Sequence, residues 1–397
     1  MKRFLINRYN MVRDTLAVKK AVKKTVKPYQ KGSRPAGINL YGDFVSGTGI
    51  SRSVNLLSGA LKAAGIPHSK HQVEERHGTP KKTGRHVDYA VNVFHVQPAK
   101  IPVLFEMLET SDLDGHYNIA YWLWETPVFP KEWTGLCKCF DEIWTPSVFV
   151  AKALRRITDK KIKVYPCAVV GEENFFPEDC SIVRKRYGIP EDAFVAGIIY
   201  DRRSGSERKN PDAAIKAFRE AFPDGRENVC LMIKAKCLNE KDLSHLKSVI
   251  GSEKRFVIIQ DYLSHEDTLS LLASSDALLS LHRAEGFGLA SAEMMSCGGV
   301  VISTDYSATK EFVNKKNGCP VKYKLVSTKK EYSVYRAGTV WAEPDVHDAA
   351  GKLRMLYADP ALRKKLGDEA KRSVSEELSA KVIGIRIKKR MEAVCGV

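Results

Sequence analysis

Glu285 and Glu293 stand with seven residues between them in the run His282-Arg283-Ala284-Glu285-Gly286-Phe287-Gly288-Leu289-Ala290-Ser291-Ala292-Glu293. The apolar run Asp276 to Leu281 before it reads as a buried parallel strand, and a small-residue helix follows that stops at Cys297-Gly298-Gly299. The glycines therefore fall at a strand-to-helix turn, where backbone N–H groups and a helix N-terminus can face an anion. Glu285 lies in the turn and Glu293 about two helical turns deeper on roughly the same face. Such a pair can bracket one elongated ligand, with the backbone of Gly286, Phe287, Gly288 and Leu289 at its phosphates.

A second loop carries complementary chemistry. Between an apolar strand, Phe194 to Tyr200, and a helix beginning at Asp212 lie Ser204, Gly205 and four cations, Arg202, Arg203, Arg208 and Lys209. A polar, cationic loop at such a junction is suited to grip a diphosphate, with Lys209 and its neighbour Arg208 foremost, and Pro211 fits a first helical turn. Nearer the N-terminus, Gly37 to Tyr41 reads as a strand and Ile50 to Ala64 as a helix. The turn between them holds Gly47 and Gly49, which let a ligand approach the backbone closely, and Arg52 sits in the first helical turn. His95 ends the strand candidate Val87 to Phe94; it reads either as a site residue or as a hydrogen-bonded structural histidine. Tyr117 to Glu125 reads as a strand ending in aromatics, where Trp124 can stack on a sugar face or fill a core and Glu125 is an acceptor-site or structural carboxylate.

These residues need elements to position them. Strands and helices alternate through two halves of a chain of 397 residues, too long for one ordinary core. The pattern predicts an α/β protein of two facing Rossmann-like parallel-sheet domains, with the ligand in the crevice at the strand C-termini. The expected divisions are a basic segment over 1–34, a first domain over 35–170 with a terminal helix over 376–397 crossing back to it, and a second domain over 171–375. Residues 168–192 read as the linker.

Net charge is +17, so a phosphate-rich partner is expected. The first 34 residues hold ten Lys/Arg from Lys2 to Lys31, then Arg34, against the single acid Asp14. Leu5, Tyr9, Val12 and Leu16 recur there at helical spacing, giving a segment that either anchors on an anionic membrane face or docks on its own protein. No nucleic-acid module is recognisable, so nucleic acid is not expected as a partner. Nine scattered cysteines suit reduced thiols in a cytoplasmic protein, and no apolar run reaches the length of a membrane span.

At the opening motif the chain resembles the retaining GT-B glycosyltransferases of family 4, whose signature is EGFGLxxxE. The first glycine loop, Ser46-Gly47-Thr48-Gly49-Ile50-Ser51-Arg52, is similar to the family's SGxGxxxR. Asp201, Ser204, Arg208, Lys209, Asn210 and Pro211 match its DxxSxxxRKNP. The stretches Tyr121 to Glu125, Phe129 to Trp133 and Asp141 to Ser147 resemble a polysaccharide-building branch, in which Ser147 also reads as a helix N-cap. Where the family often has a Ser-Gly turn, this chain has Ser307-Ala308. The resemblance implies that Glu285 orients the transferred sugar, Glu293 holds the ribose, and Lys209, Arg208, Ser204, Gly47, Gly49 and Arg52 serve the diphosphate, with His95 near the sugar, a position to which Gln97 aligns as well. It implies a nucleotide-sugar donor, GDP-mannose by the flavour of the branch, a glycan or lipid-linked acceptor, retention of configuration, and no cofactor or metal. The alternatives are a non-catalytic sugar- or nucleotide-binding protein on the same fold and a basic nucleic-acid-binding protein.

Overall fold

The computed structural model describes residues 19, 21, 26–73, 88–171, 178–332 and 334–396. Most of the basic segment expected over 1–34 lies outside them. The chain forms two compact units, one of Met1–Glu172 with Ser379–Val397 and one of Glu173–Leu378.

Unit 1 is built on a six-stranded sheet of β1 (Ile38–Gly42), β2 (His68–Gln72), β3 (Val91–His95), β4 (Tyr117–Tyr121), β5 (Glu142–Thr145) and β6 (Lys161–Val164), in the order β2-β1-β3-β4-β5-β6. Every neighbouring pair is parallel. β1, β3 and β5 are buried along their whole length, as parallel strands covered on both faces must be. Register is fixed by polar groups as well as apolar ones. Asn39, Asn92 and Asn118 stand opposite one another on β1, β3 and β4, and each side-chain amide donates to the next side chain's oxygen at 2.9 Å. A one-residue slip would strand these amides in the core. The strand expected over 117–125 ends at Tyr121: beyond it the Trp122, Trp124, Phe129 and Trp133 rings pack together, and Pro127 and Pro130 favour a loop.

The last helix, Ala380–Cys395, belongs to unit 1. It crosses the helix Gly49–Ala63 at Gly384, where a Cβ would meet the Ala60 carbonyl oxygen at 2.2 Å. Its Arg390 ion-pairs with Glu142, a fully buried carboxylate that also accepts from Tyr117 Oη at 3.1 Å and Trp144 Nε1 at 2.9 Å.

Unit 2 carries a second parallel sheet of β7 (Phe194–Asp201), β8 (Val229–Lys236), β9 (Phe256–Ile259), β10 (Ala277–Ser280), β11 (Val300–Thr304) and β12 (Cys319–Val321), ordered β12-β11-β10-β7-β8-β9. The chain runs one way from β7 through β8 to β9, then returns to the other side of β7 with β10. The C-terminal ends of β7 and β10 therefore flank a topological switch point, where ligands of open α/β sheets bind. A hairpin, β13 (Tyr323–Ser327) with β14 (Val340–Pro344), follows. Part of the stretch read as linker is ordered: the helix Cys180–Arg186 is held when Arg184 Nη2 meets Asp276 Oδ2 at 3.3 Å and its Nε donates to the Ser274 carbonyl at 3.0 Å. Among the described residues no helix is long and apolar enough to cross a membrane.

Candidate active site

In unit 2 the cationic loop and the glutamate–glycine turn leave the ends of adjacent strands β7 and β10. After β7 the chain makes a 3-10 turn at Arg202–Ser204 and a single helical turn at Ser206–Lys209. It then reverses at Asn210, whose φ of 55° is left-handed, a conformation asparagine tolerates better than most residues. The helix Pro211–Ala221 starts there. Main-chain stitches tie the two loops: the Arg283 N–H donates to the Arg208 carbonyl at 2.8 Å, and Arg283 Nη1 to the Glu207 carbonyl at 2.5 Å.

At the junction Glu285 meets two cations. Lys209 Nζ is 2.5 Å and Arg208 Nη1 3.0 Å from the same carboxylate oxygen, Oε1. Glu285 is 6% exposed and Arg208 3%. Burial alone would raise the Glu285 pKa, but Lys209, then Arg208, outweigh it and hold the value at about 2. Glu285 is thus a fixed carboxylate, able only to accept hydrogen bonds. Arg208 also donates from Nη1 to the Ala284 carbonyl at 2.7 Å and from Nη2 to that of Ser204 at 2.9 Å. Its fork clamps both loops from beneath, while Lys209 is the more exposed of the pair. Of the other two cations in the loop, Arg202 is paired with Asp242 and Arg203 with Asp201.

The turn itself is sterically forced. Gly288 has φ of 99°, and a Cβ there would lie 2.4 Å from Thr309 Cγ2. The helix Leu289–Ser296 begins directly after it without a side-chain cap, so its first N–H groups are free of intrahelical partners. Phe287 is buried against Phe312, 5.4 Å between centroids. Glu293 is also buried, its Oε1 3.7 Å from Nδ1 of His265 at the start of the helix His265–Ala273.

Three contributors behind the turn, Ser307, Ala308 and His282, were not among the expected site residues. Ser307, in a left-handed conformation with φ of 64°, accepts the Glu285 N–H on its hydroxyl at 2.8 Å, and the Ala308 N–H donates to the Glu285 carbonyl at 3.2 Å. The Ser307-Ala308 turn thus pins the backbone of Glu285. His282 is buried, with Nδ1 3.1 Å from Ser280 Oγ and Nε2 3.1 Å from Thr309 Oγ1. Burial lowers its pKa to about 4, against the opposing pull of Glu285.

The remaining expected site residues lie in unit 1. Gly47 is left-handed with φ of 64°. Thr48 caps the helix Gly49–Ala63, accepting the Ser51 N–H at 3.1 Å, so Gly49 and Arg52 occupy its first turn. His95 ends β3 fully buried, with Nε2 2.9 Å from Ser53 Oγ and its ring stacked on Tyr121 at 4.5 Å; desolvation pushes its pKa down to about 4. Trp124 is buried and donates from Nε1 to the Val128 carbonyl at 2.8 Å. Glu125, the next residue, is half-buried. Ser147 is a helix cap, accepting the Val150 N–H at 3.2 Å.

Two parallel six-stranded sheets in an α/β chain are the architecture of the GT-B fold, and solved glycosyltransferases share it. Anabaena HepE in complex with UDP and glucose superposes with a TM-score of 0.66 at 14% identity, over 90% of this chain and 100% of that one. A glycosyltransferase from Rickettsia africae gives 0.67 at 13% identity, over 91% and 98%. Sucrose-phosphate synthase from Thermosynechococcus elongatus gives 0.64 at 14%, over 93% and 99%. Residues 182–373 match the family described as Glycosyl transferases group 1, so unit 2, with Lys209 and Glu285, carries a domain of that group. No curated protein sequence matches the chain.

Proposed function

We propose that this protein is a retaining, metal-independent glycosyltransferase that moves a hexosyl group from a nucleotide-diphosphate sugar to a glycan or lipid-linked acceptor in surface-polysaccharide synthesis. The observation that carries the reading is the buried Arg208–Lys209–Glu285 cluster beside the Gly288 turn, inside the domain matched to glycosyl transferases group 1. Breaking a glycosyl–diphosphate bond builds negative charge on the departing phosphate, and preorganised cations and N–H groups stabilise it. Lys209 supplies the mobile cation and the first turn of Leu289–Ser296 the N–H groups. Arg208 keeps the two loops in register. Glu285, ionised at any physiological pH, accepts from hydroxyls of the transferred sugar and orients its ring. Glu293 takes the ribose hydroxyls. The acceptor hydroxyl loses its proton to the leaving phosphate in a front-face transfer.

The branch resemblance favours GDP-mannose as donor, whereas the HepE structure holds UDP and glucose, so both bases belong in the test. Thermal stabilisation against GDP, UDP, ADP and dTDP and their sugars is expected to single out one base, with the shift lost in Glu293→Ala. Lys209→Ala is expected to lower transfer by at least about a hundredfold, the scale of removing one preorganised charge-stabilising group. Stabilisation by no nucleotide, together with near-normal behaviour of Lys209→Ala, would remove the assignment. We place the protein in the cytoplasm, peripheral on the inner face of the membrane.

A further inference from the structure

The net charge of +17 is not shared between the units. Unit 1 holds 32 Lys/Arg against 16 Asp/Glu, and unit 2 holds 32 against 31. Within unit 1, besides residues 1–34, two segments are strongly one-sided: residues 151–171 and 380–396 together hold eleven cations and two acids, Asp159 and Glu392. The fold brings these segments side by side. β6 is the last strand of its sheet, and it is joined to the terminal helix where Arg386 Nη2 donates to the Val164 carbonyl at 2.9 Å and stacks its guanidinium over Tyr165.

Lys161 and Lys163 are exposed on β6, at the period-2 spacing that puts both on one face. Lys388 and Lys389 are exposed on the helix, beside Ile385, which is 42% exposed. These four lysines have no ion-pair partner among the described residues, whereas the half-buried Arg390 has Glu142. Lysines on an edge strand also discourage strand addition, but that role asks nothing of the lysines on the helix. The rings at this edge, Tyr165 and Trp144, are buried, so the patch has no stacking platform of the kind single-stranded nucleic acid uses. What it offers is a sheet edge and a helix face of unpaired ammonium groups around an exposed isoleucine, on the unit whose first residues form a basic amphipathic sequence.

We propose that the β6 edge of unit 1, with the exposed face of helix Ala380–Cys395, docks on an anionic lipid bilayer. Lysines near such a surface are attracted to the headgroup charge, and Ile385 adds a small apolar contact. The proposal deepens the peripheral placement given above and is independent of the donor chemistry, because the Lys209–Glu285 site lies in unit 2.

The test is co-sedimentation of the full chain with phosphatidylcholine vesicles containing roughly 30% phosphatidylglycerol, an anionic surface of the kind polybasic segments bind. The variant Lys161→Glu/Lys163→Glu/Lys388→Glu/Lys389→Glu is compared with Lys241→Glu/Lys247→Glu/Lys254→Glu/Lys329→Glu, which makes the same change in net charge on exposed lysines of unit 2. The unit 1 variant is expected to lose at least about tenfold in vesicle affinity, since each cation at such a surface is worth about fivefold. The unit 2 variant is expected to bind as the wild type does. Thermal unfolding without nucleotide, with hydrogen exchange read over each unit separately, serves as the check that each variant is folded. Equal losses in both variants, or none in the first, would overturn the proposal. So would a first variant that keeps vesicle binding yet loses binding to duplex DNA or polyphosphate, which would assign the patch to a soluble polyanion.

Discussion

Replacing Glu285 by glutamine isolates the charge at the centre of the site while keeping the side chain's shape. In the folded protein the Glu285 pKa falls from 4.5 to about 2, because Lys209 and Arg208 overcome the penalty of burial. At about 1.4 kcal/mol per pKa unit, the ionised carboxylate contributes about 3 kcal/mol at neutral pH. The sign is that of a depressed acid: the contribution is complete above pH 4.5 and is lost as pH falls toward 2. Glutamine removes it, yet Arg208 keeps the Ala284 and Ser204 carbonyls and Lys209 can turn toward water. The loss therefore falls at the lower end of the ~3–5 kcal/mol typical of a broken buried pair. For a unit of this size about 3 kcal/mol corresponds to roughly 6–12 °C in Tm. The assay is thermal unfolding at pH 7 and at pH 3.5, followed by hydrogen exchange across residues 173–378 so that each unit is read separately. The difference between wild type and variant is expected to narrow at the lower pH. Lys209→Met is expected to be non-additive with Glu285→Gln. A variant within about 1 kcal/mol of wild type at pH 7, or an additive double variant, would refute the reasoning.

Gly288→Ala is expected to disrupt the glycine turn and abolish nucleotide-induced stabilisation, because its φ is left-handed and its Cβ would overlap Thr309 Cγ2. Thr309→Ser removes that methyl and is expected to recover part of the loss, read by the same thermal shift; no recovery would mean that backbone strain alone accounts for it. His95 has a pKa depressed to about 4 by burial, so the unfolded chain binds its proton first. Stability is then complete above pH 6.5 and falls between there and pH 4. The same holds for His282 in unit 2. His95→Gln is expected to flatten the unit 1 part of that pH dependence and leave the unit 2 part intact, as measured by hydrogen exchange between pH 7 and pH 5.

The order of strands and helices was legible because parallel strands buried on both faces read as short apolar runs, such as Phe194 to Tyr200 and Val300 to Ser303. The glycine turns and the RKNP loop were legible as strand-to-helix turns because small residues, cations and a helix start stand there at fixed spacing. β2, with the sequence HSKHQ, was not readable as a strand, because it is a polar edge strand whose place comes from pairing with β1. β13 was missed for a similar reason, being a partly exposed strand whose partner is β14. The stretch over 168–192 looked like linker because its helix buries little besides Val183 and is held through Arg184.

Spacing thus marked Glu285, Lys209 and Arg208 as chemistry, but it gave the two cations the same role. Only the tertiary structure separated them. Packing at the β7–β10 junction makes Arg208 the clamp on two carbonyls, leaves Lys209 the more exposed cation, and sets both against Glu285, which they keep ionised. The supports behind that cluster, Ser307, Ala308 and Thr309 from the turn after β11 and His282 from the start of the Glu285 loop, were given no part by spacing. Their contribution depends on which backbone atoms lie within about 3 Å of which side chains, and only the packed fold determines that.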